Sequence, residues 1–170
     1  MIDEIDFACL APPAYPLKGG DKCWSAGWGE VDEFGRGPSL VLKEVNANVR
    51  LSKGNLFNHV QVDLKILSDS ECAQSGIGRF FRGRSPETMI CAGNGRRNTC
   101  HGDSGGPLIC IDDNQPMLTG ITSWGHSDCS YRGAPAVYTE IGNSKIHSFI
   151  MEHLDKTSKC VVRKHHIQLI

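Results

Sequence analysis

The sequence lacks several features that would assign it to a class of protein at once. Its 170 residues contain no apolar run of about 20 residues, which a membrane-spanning helix needs. The opening MIDEIDFACLAPP has neither the basic region nor the long apolar run of a secretory signal. Charge of one sign is not in excess, because 18 Lys and Arg stand against 19 Asp and Glu. The net charge of -1 therefore predicts no attraction to nucleic acid or to an anionic membrane.

Close cysteine pairs are also absent, although the chain contains eight cysteines. None of them forms a C-x-x-C pair, and zinc ligands usually come in such pairs. Cysteines spread in this way instead predict a disulfide framework, which forms in an oxidising compartment. A disulfide-bonded chain without a signal suggests that the natural N-terminus lies upstream of Met1. We therefore expect an extracellular or secreted protein that holds no metal.

Short β-rich segments separated by turns make up most of the chain. Residues 1–22 contain Pro12, Pro13 and Pro16, which exclude a helix and predict an extended connector. The segment VQVDLKI, residues 60–66, alternates apolar and polar side chains as a half-buried strand does. Three further β-rich runs follow: PLICI, MLTGITSW and APAVYTEI.

One segment near the C-terminus predicts a helix. In NSKIHSFIMEHL, Asn143 can cap the helix, and the apolar residues fall on one face. These apolar residues are Ile146, Phe149, Ile150 and Leu154. Many short strands followed by one terminal helix predict an all-β fold of the small-barrel type.

The segment CHGDSGGPLIC, residues 100–110, raises the question whether Ser104 is a nucleophile. A glycine-rich turn would accept Asn or Asp at its centre and does not need the whole string. The run GDSGG also fits G-x-S-x-G, the nucleophile elbow of α/β-hydrolases, but that motif must open a helix. Here Gly106 and Pro107 lead straight into an apolar run. A phosphate-binding loop would need Lys followed by Ser or Thr after the glycines, and neither follows.

A fourth interpretation rests on five motifs in order along the chain: CWSAGWG, MICAG, GDSGGPL, ITSWG and PAVYT. Together they resemble the second barrel of the chymotrypsin family of trypsin-like serine proteases. The resemblance implies a six-stranded Greek-key β-barrel with a C-terminal α-helix over residues 23–155. Residues 1–22 would then connect two barrels, residues 156–170 would be an unmatched tail, and the first barrel would be absent.

The resemblance implies a serine endopeptidase that forms an acyl-enzyme, with Ser104 as nucleophile. The N–H groups of Gly102 and Ser104 would hold the oxyanion, which acyl transfer needs beside the nucleophile. The missing side chain at Gly102 lets substrate approach the backbone closely. Asp103 would pair with the new N-terminus that zymogen cleavage creates. No cofactor is implied, and the expected partner is a protein or peptide substrate.

Disulfide pairing cannot be chosen by counting eight cysteines. The resemblance implies three bonds: Cys23 with Cys110, Cys72 with Cys91, and Cys100 with Cys129. Cys9 matches a position that often bridges to an activation peptide, and Cys160 matches no family position. Cys9 therefore has two candidate partners, a cysteine of an activation peptide or Cys160.

The family's pocket for the substrate side chain has its base six residues before the nucleophile, which is Asn98 here. Trypsin-like enzymes carry an aspartate there to pair with Arg or Lys, whereas a neutral amide offers hydrogen bonds without the charge. Ser123, Trp124 and Gly125 resemble the strand that lines the pocket, and Gly125 leaves its entrance open. Ala136 replaces a usual glycine and makes the pocket shallower. We therefore expect a neutral or medium-sized apolar substrate residue, unless Asn98 is only a loop residue.

The family's remaining catalytic residues find no match in this sequence. A serine hydroxyl needs a base to take its proton, and the family uses a histidine held by an aspartate. The chain contains neither AAHC nor DIAL, and its seven histidines lie in second-barrel or tail contexts. His101 is nearest to Ser104 in sequence, but its neighbours suggest that it faces substrate. His126 is interpreted as a surface-loop residue.

Residues 46–59 interrupt a segment that otherwise matches the family. Without them, VLKEVQVDLKILSDSEC runs like an unbroken family strand. An insertion within a paired strand interrupts its ladder and can shift its register. We interpret residues 46–59 as an insertion, either a gene-model or splicing artefact or a real surface excursion.

The sequence therefore predicts the C-terminal barrel of a secreted serine endopeptidase. Its expected partner is the missing N-terminal barrel of the same parent chain. Without the base and its carboxylate, the chain by itself should have little or no peptidase activity. One alternative is a non-catalytic protease homologue that serves as a binding or regulatory module. Another is a disulfide-rich structural domain without protease ancestry.

Overall fold

The computed structural model describes residues 8–30, 43–45, 64–81, 87–95, 98–112 and 115–154. The strands in this part are β1 (Cys9–Leu10), β2 (Lys22–Gly27), β3 (Lys43–Val45), β4 (Leu64–Lys65), β5 (Met89–Ala92), β6 (Pro107–Asp112), β7 (Gln115–Trp124) and β8 (Ala136–Glu140). The helices are α1 (Asp69–Gln74), a 3-10 turn (Gly78–Phe80) and α2 (Ser144–His153). The predicted insertion at 46–59 and tail at 156–170 lie outside the described residues.

The strands form one sheet that nearly closes on itself. Hydrogen bonds join them in the order β3-β2-β6-β7-β8-β5, and β4 also pairs with β2. Ile66, directly after β4, forms an antiparallel bridge with Ala92 of β5 and so brings the two ends together. Strand β1 adds to β7 in parallel. The predicted all-β fold, a six-stranded antiparallel barrel with a C-terminal helix, is confirmed.

Strands β5 and β8 are buried on both faces. Because successive side chains of a strand point to opposite faces, each strand contributes to two layers. Ile90 and Tyr138 belong to the cluster inside the barrel, whereas Cys91 and Val137 belong to a second cluster outside it. The outer cluster is completed by residues of α1 and the segment after it: Cys72, Ile77 and Phe81. Burial on both faces explains why the first three residues of β8 are an unbroken apolar run.

Helix α2 begins where the sequence predicted it. The Asn143 side chain accepts hydrogen bonds from the N–H groups of Lys145 and Ile146, which satisfies two free donors of the first turn. No residue of α2 is buried against the described part of the chain. Phe149 is 62% exposed and Met151 is 53% exposed.

Helix α1 was not predicted, so the expectation of a single helix was incomplete. It begins with a capping box, in which the Glu71 N–H donates to the Ser68 hydroxyl and the Glu71 carboxylate accepts from the Ser68 N–H. The spacing of serine and glutamate in SDSE is the sequence signal for this motif. The helix is only six residues long, and the capping box was its one clear signal.

Candidate active site

Ser104 lies exposed in a tight turn directly before β6. The backbone of the turn holds it in place, since the Asp103 N–H donates to the Cys100 carbonyl over 3.0 Å. The Gly106 N–H likewise donates to the Asp103 carbonyl over 2.9 Å. The Ser104 hydroxyl forms no hydrogen bond with another described residue, and it is therefore accessible to a ligand.

The turn is also fastened to β7 of the barrel. The Gly105 N–H donates to the Thr122 carbonyl over 2.9 Å, and the Thr122 N–H donates to the Gly106 carbonyl over 2.8 Å. A strand follows the turn, because β6 begins at Pro107. The nucleophile elbow of α/β-hydrolases, which opens a helix, does not fit this arrangement.

Two backbone N–H groups of the turn around Ser104 are not used within it. Within the described ranges, the N–H groups of Gly102 and Ser104 donate to no other residue. Gly102 has a φ of +95°, a conformation that favours glycine. A Cβ at this position would also lie 3.2 Å from the Cα of Gly29. Unpaired N–H groups next to a hydroxyl can stabilise negative charge that develops on a bound carbonyl.

The carboxylate of Asp103 points away from the turn's tip and binds the backbone. One oxygen accepts from the Gly29 N–H over 2.8 Å, and the other accepts from the Cys100 N–H over 2.9 Å. A Cβ on Gly29 would lie 2.5 Å from the Asp103 Cγ, and one on Gly27 would overlap the carboxylate. Both glycines therefore make the space that the carboxylate fills.

Gly27 and Gly29 belong to the motif CWSAGWG, but their role was not predicted from the sequence. Their signal was two glycines in and beside a strand, which often marks a close approach of backbone or ligand. A further bond joins the same two segments, since the Glu30 N–H donates to the His101 carbonyl over 2.9 Å. The segment after β2 and the turn around Ser104 thus form one hydrogen-bonded unit.

Asn98, the predicted base of the substrate pocket, is hydrogen-bonded to the chain on either side of residues 130–133. Its side-chain NH₂ donates to the carbonyl of Ala134 over 2.8 Å and to that of Cys129 over 3.2 Å. Its Oδ1 atom is buried and has no hydrogen-bond partner among the described residues. The amide orientation follows from these bonds, since a flipped amide would place Oδ1 against two carbonyl oxygens.

A buried pair of hydroxyls lies next to Asn98 in the chain. The hydroxyls of Thr99 and Tyr138 are 3.2 Å apart, and both residues are buried. Burial raises the pKa of the Tyr138 phenol far above its ordinary value. The hydrogen bond with Thr99 opposes this shift, and the negative charge of Asp103 adds to it. The phenol is therefore neutral at physiological pH.

The predicted pocket wall lies where β7 ends and β8 begins. Ser123 and Trp124 are the last residues of β7, and exposed Gly125 follows them. Ala136 is the first residue of β8 and is 2% exposed. A Cβ on Gly125 would lie 3.7 Å from the Ala136 Cα, an ordinary contact. Ser123 directly follows Thr122, which binds the turn around Ser104.

An aromatic cluster beside Trp124 was missed by the sequence analysis. The rings of Phe80 and Phe81 lie 5.7 and 5.5 Å from the Trp124 ring, measured between centroids. Phe80 is 58% exposed, and the Arg79 guanidinium lies 5.0 Å from its ring centroid. Phe81 is buried and Trp124 is half-buried, so Phe80 is the exposed edge of this cluster next to the end of β7. Adjacent phenylalanines in GRFFR were its only sequence signal.

The cysteines of the described residues are all oxidised. The structure contains three disulfides between them: Cys23–Cys110, Cys72–Cys91 and Cys100–Cys129. Cys9 is disulfide-bonded as well, and Cys160 lies outside the described residues. The Cys100–Cys129 bond connects the segment before Ser104 to the loop whose carbonyl accepts a hydrogen bond from Asn98. The cysteines that flank Ser104 are therefore structural.

The described histidines do not contact Ser104 by hydrogen bonds. His101 is exposed, and its Nε2 lies 3.1 Å from the Ser127 carbonyl oxygen. The His126 ring stacks on Tyr131 at a centroid distance of 4.4 Å. His101 also lies close to two cysteine sulfurs, but these form a disulfide and are not thiolate ligands. Among the residues that the structure describes, no histidine is hydrogen-bonded to the Ser104 hydroxyl.

Within the described ranges, no helix has the length and the apolar character needed to cross a membrane. The longest helix, α2, has 10 residues.

Comparison with known proteins gives a consistent result. The family model for trypsin matches residues 52–146, which is more than half of the chain. Human transmembrane protease serine 7 is 33% identical over 139 residues, covering 79% of this chain and 14% of that protein. The mouse protein of the same name is 32% identical over 139 residues, with the same coverage. The chain thus corresponds to a small part of these relatives. It belongs to the trypsin family of serine proteases.

Proposed function

We propose that this chain is the nucleophile-bearing barrel of a serine endopeptidase. The observation that carries the proposal is the exposed Ser104 hydroxyl, flanked by the unpaired N–H groups of Gly102 and Ser104. In the reaction, the Ser104 oxygen bonds to the scissile carbonyl carbon while its proton passes to a base. The carbonyl oxygen becomes negative and accepts hydrogen bonds from the two N–H groups. The amine then leaves with the proton, and the acyl group remains on Ser104.

The base for this step has to come from outside the described residues. We infer that a histidine and an orienting carboxylate belong to a first barrel of the same parent protein. Several large apolar side chains of this barrel are exposed and would be available for such a contact. Examples are Trp28, which follows β2, and Phe149 and Met151 of α2. The chain alone should therefore hydrolyse peptides slowly or not at all.

Asp103 fits a role in activation. Its carboxylate already holds two backbone N–H groups, and an ammonium group from a newly cut N-terminus would be a third donor. Such a contact would fix the backbone of the adjacent residues that carry the oxyanion donors. Cys9 is disulfide-bonded in this chain, to a residue outside the described ranges.

An extracellular location is supported by the disulfides. Three disulfides join described residues in one small barrel, and such a framework persists in an oxidising environment. A protein or peptide outside the cell, or one passing through the secretory pathway, is therefore the proposed substrate.

The direct test is covalent labelling of Ser104 with a fluorophosphonate. The experiment uses the parent protein with both barrels, after activation, and follows the labelled residue by mass spectrometry. We expect labelling of wild type and none of Ser104→Ala. The control is Ser144→Ala, which removes an exposed serine at the start of α2. An unlabelled, folded wild type would contradict the proposal.

The alternative is a non-catalytic homologue that acts as a binding or regulatory module. The absence of a hydrogen-bonded histidine at Ser104, among the described residues, is the observation that favours it. The same experiment distinguishes the two functions, because only the enzyme reacts with the fluorophosphonate. A binding module has no chemical need for Ser104, so its Ser104→Ala variant would keep the activity of the wild type.

A further inference from the structure

Cys9 is disulfide-bonded, but it belongs to none of the three disulfides described above. The described residues include every cysteine of the chain except Cys160. All of these cysteines other than Cys9 pair with one another, and no described cysteine is free. The partner of Cys9 in this single chain therefore lies outside the described residues, where Cys160 is the remaining cysteine.

The surroundings of Cys9 agree with a bond inside the chain. Cys9 lies in β1, directly opposite Met117 of β7, and the two residues are 2% and 5% exposed. The side-chain NH₂ of Gln115 donates to the Cys9 sulfur over 3.5 Å. Disulfide exchange with another polypeptide requires an accessible sulfur. Cys9 has almost no exposed surface, which favours a partner from the same chain.

The connector, residues 1–22, is fixed beside the start of helix α2. The Ala14 N–H donates to the Gly142 carbonyl over 2.8 Å, and a Cβ on Gly142 would lie 3.2 Å from the Tyr15 Cβ. Helix α2 follows Gly142 closely and has 10 residues, so it is about 15 Å long. Cys160 comes six positions after Leu154, a length that spans up to about 20 Å when extended. The chain after α2 is therefore long enough to return to the connector.

We propose that Cys9 and Cys160 form a disulfide that ties the C-terminal tail to the connector of this barrel. When the S–S bond forms, the two thiols lose two protons and two electrons. A disulfide oxidant of the folding compartment accepts them, and its own S–S bond breaks to give two thiols. A bond that closes so long a loop restricts the unfolded chain and therefore stabilises the folded one.

The bond has a consequence for the parent protein, and this consequence rests on the proposed function. Cys9 was predicted to bridge either to Cys160 or to a cysteine of an activation peptide. A cysteine sulfur forms one disulfide only, so a bond to Cys160 excludes a bond to the activation peptide. After an activating cut, the segment upstream of the cut would not be held to this barrel through Cys9.

Peptide mapping of the 170-residue chain without reduction tests the bond directly. The chain is folded under oxidising conditions, denatured without a reductant, and treated with iodoacetamide to block any free thiol. Trypsin, which cuts after Lys and Arg, then releases Cys9 within residues 1–18 and Cys160 within residues 160–163. We expect one ion whose mass is that of the two peptides less two hydrogen atoms. Reduction should separate it into the two peptides.

Two variants identify the partners. Cys160→Ser should make Cys9 react with iodoacetamide, and Cys9→Ser should do the same for Cys160. Each should lower the melting temperature by about 5–10 °C, and the double variant by no more, because all three lack the same bond. Cys72→Ser is the matched control. It should make Cys91 reactive and leave the linked peptides unchanged.

Three results would overturn the inference. They are a blocked Cys9 in the oxidised wild type, a disulfide-linked dimer that joins Cys9 of one copy to Cys160 of another, and a bond in the parent protein between Cys9 and a cysteine outside these 170 residues. Fluorophosphonate labelling of Ser104 together with any of them would retain the endopeptidase and reject the bond. Linked peptides without labelling would retain the bond and reject the endopeptidase.

Discussion

The Gly29 N–H donates a 2.8 Å hydrogen bond to the carboxylate of Asp103, which lies 74 positions away in the sequence. This bond and the one from Cys100 place the carboxylate of the residue before Ser104. The position of the turn around Ser104 therefore depends on a glycine segment from another part of the barrel. Hydrogen bonds to a charged acceptor are stronger than bonds between neutral groups.

Gly27→Ala should destabilise the chain by displacing Asp103. The new Cβ would overlap the carboxylate, so its two backbone donors would lose their acceptor, at a cost of about 1–3 kcal/mol. Chemical denaturation measures the change. Gly125→Ala is the matched control, because its Cβ would make an ordinary 3.7 Å contact. Equal stability of the two variants would contradict the role of Gly27.

Glu71→Ala should lower the melting temperature at pH 7 and have little effect at pH 3. Hydrogen bonds from the Ser68 backbone and hydroxyl hold the pKa of the Glu71 carboxyl below its ordinary value. A lowered pKa contributes stability above the pKa of the unfolded chain, near 4.3, and this contribution is lost as the pH falls through the folded-state pKa. Thermal melts of the variant and the wild type between pH 3 and pH 7 measure this difference. Glu152→Ala, on α2, is the control, and a difference that does not depend on pH would exclude this origin.

Glu140→Gln should raise the melting temperature at pH 7. Burial raises the pKa of the half-buried Glu140 carboxyl, and the negative charge of Asp69 adds to the shift. With a raised pKa, the protonated form stabilises the fold at low pH, and this benefit is lost as the pH rises through the folded-state pKa. Because glutamine carries no charge, the variant should not lose this stability, and we expect its free energy of unfolding to be about 0.5 kcal/mol higher for a half-exposed group. The gain should vanish near pH 3, where a persisting gain would point to packing instead.

Phe149→Asp should leave the isolated chain as stable as the wild type. Phe149 is 62% exposed, and substitutions at such positions usually change stability by less than about 0.5 kcal/mol. If α2 contacts a first barrel, the same variant should reduce the yield of the folded parent protein. Denaturation of the chain and secretion of the parent protein measure the two effects. Normal secretion would indicate that Phe149 is not part of that contact.

Structure that depends on interactions between neighbouring residues was predicted from local sequence signals. The cap at Asn143 and the apolar spacing in NSKIHSFIMEHL were sufficient for α2, because both signals act within a few residues. Helix α1 was missed because its six residues allow no repeated apolar spacing. The barrel followed from the resemblance of ordered motifs, and the near closure through Ile66 and Ala92 required the structure.

The candidate site likewise has features that consecutive residues encode and features that depend on tertiary contacts. The turn around Ser104 is encoded by consecutive residues, so the motif GDSGGPL was enough to single it out. The direction of the Asn98 amide depends on carbonyls 31 and 36 positions away, and no pattern in the sequence encodes these contacts. The space around the Asp103 carboxylate depends on glycines from β2 and the segment after it. Such contacts are set by tertiary packing, which a single sequence does not reveal.

The Cys100–Cys129 disulfide has a practical consequence for producing this protein. It links the segment that begins with Asn98 to the loop that holds the Asn98 amide, so the position of this amide depends on an oxidation step during folding. Protein made in a reducing cytoplasm would lack this covalent link and could reach the same secondary structure with a misplaced amide. Recombinant material for ligand measurements should therefore come from an oxidising expression host, with the bond verified by peptide mapping before any affinity is interpreted.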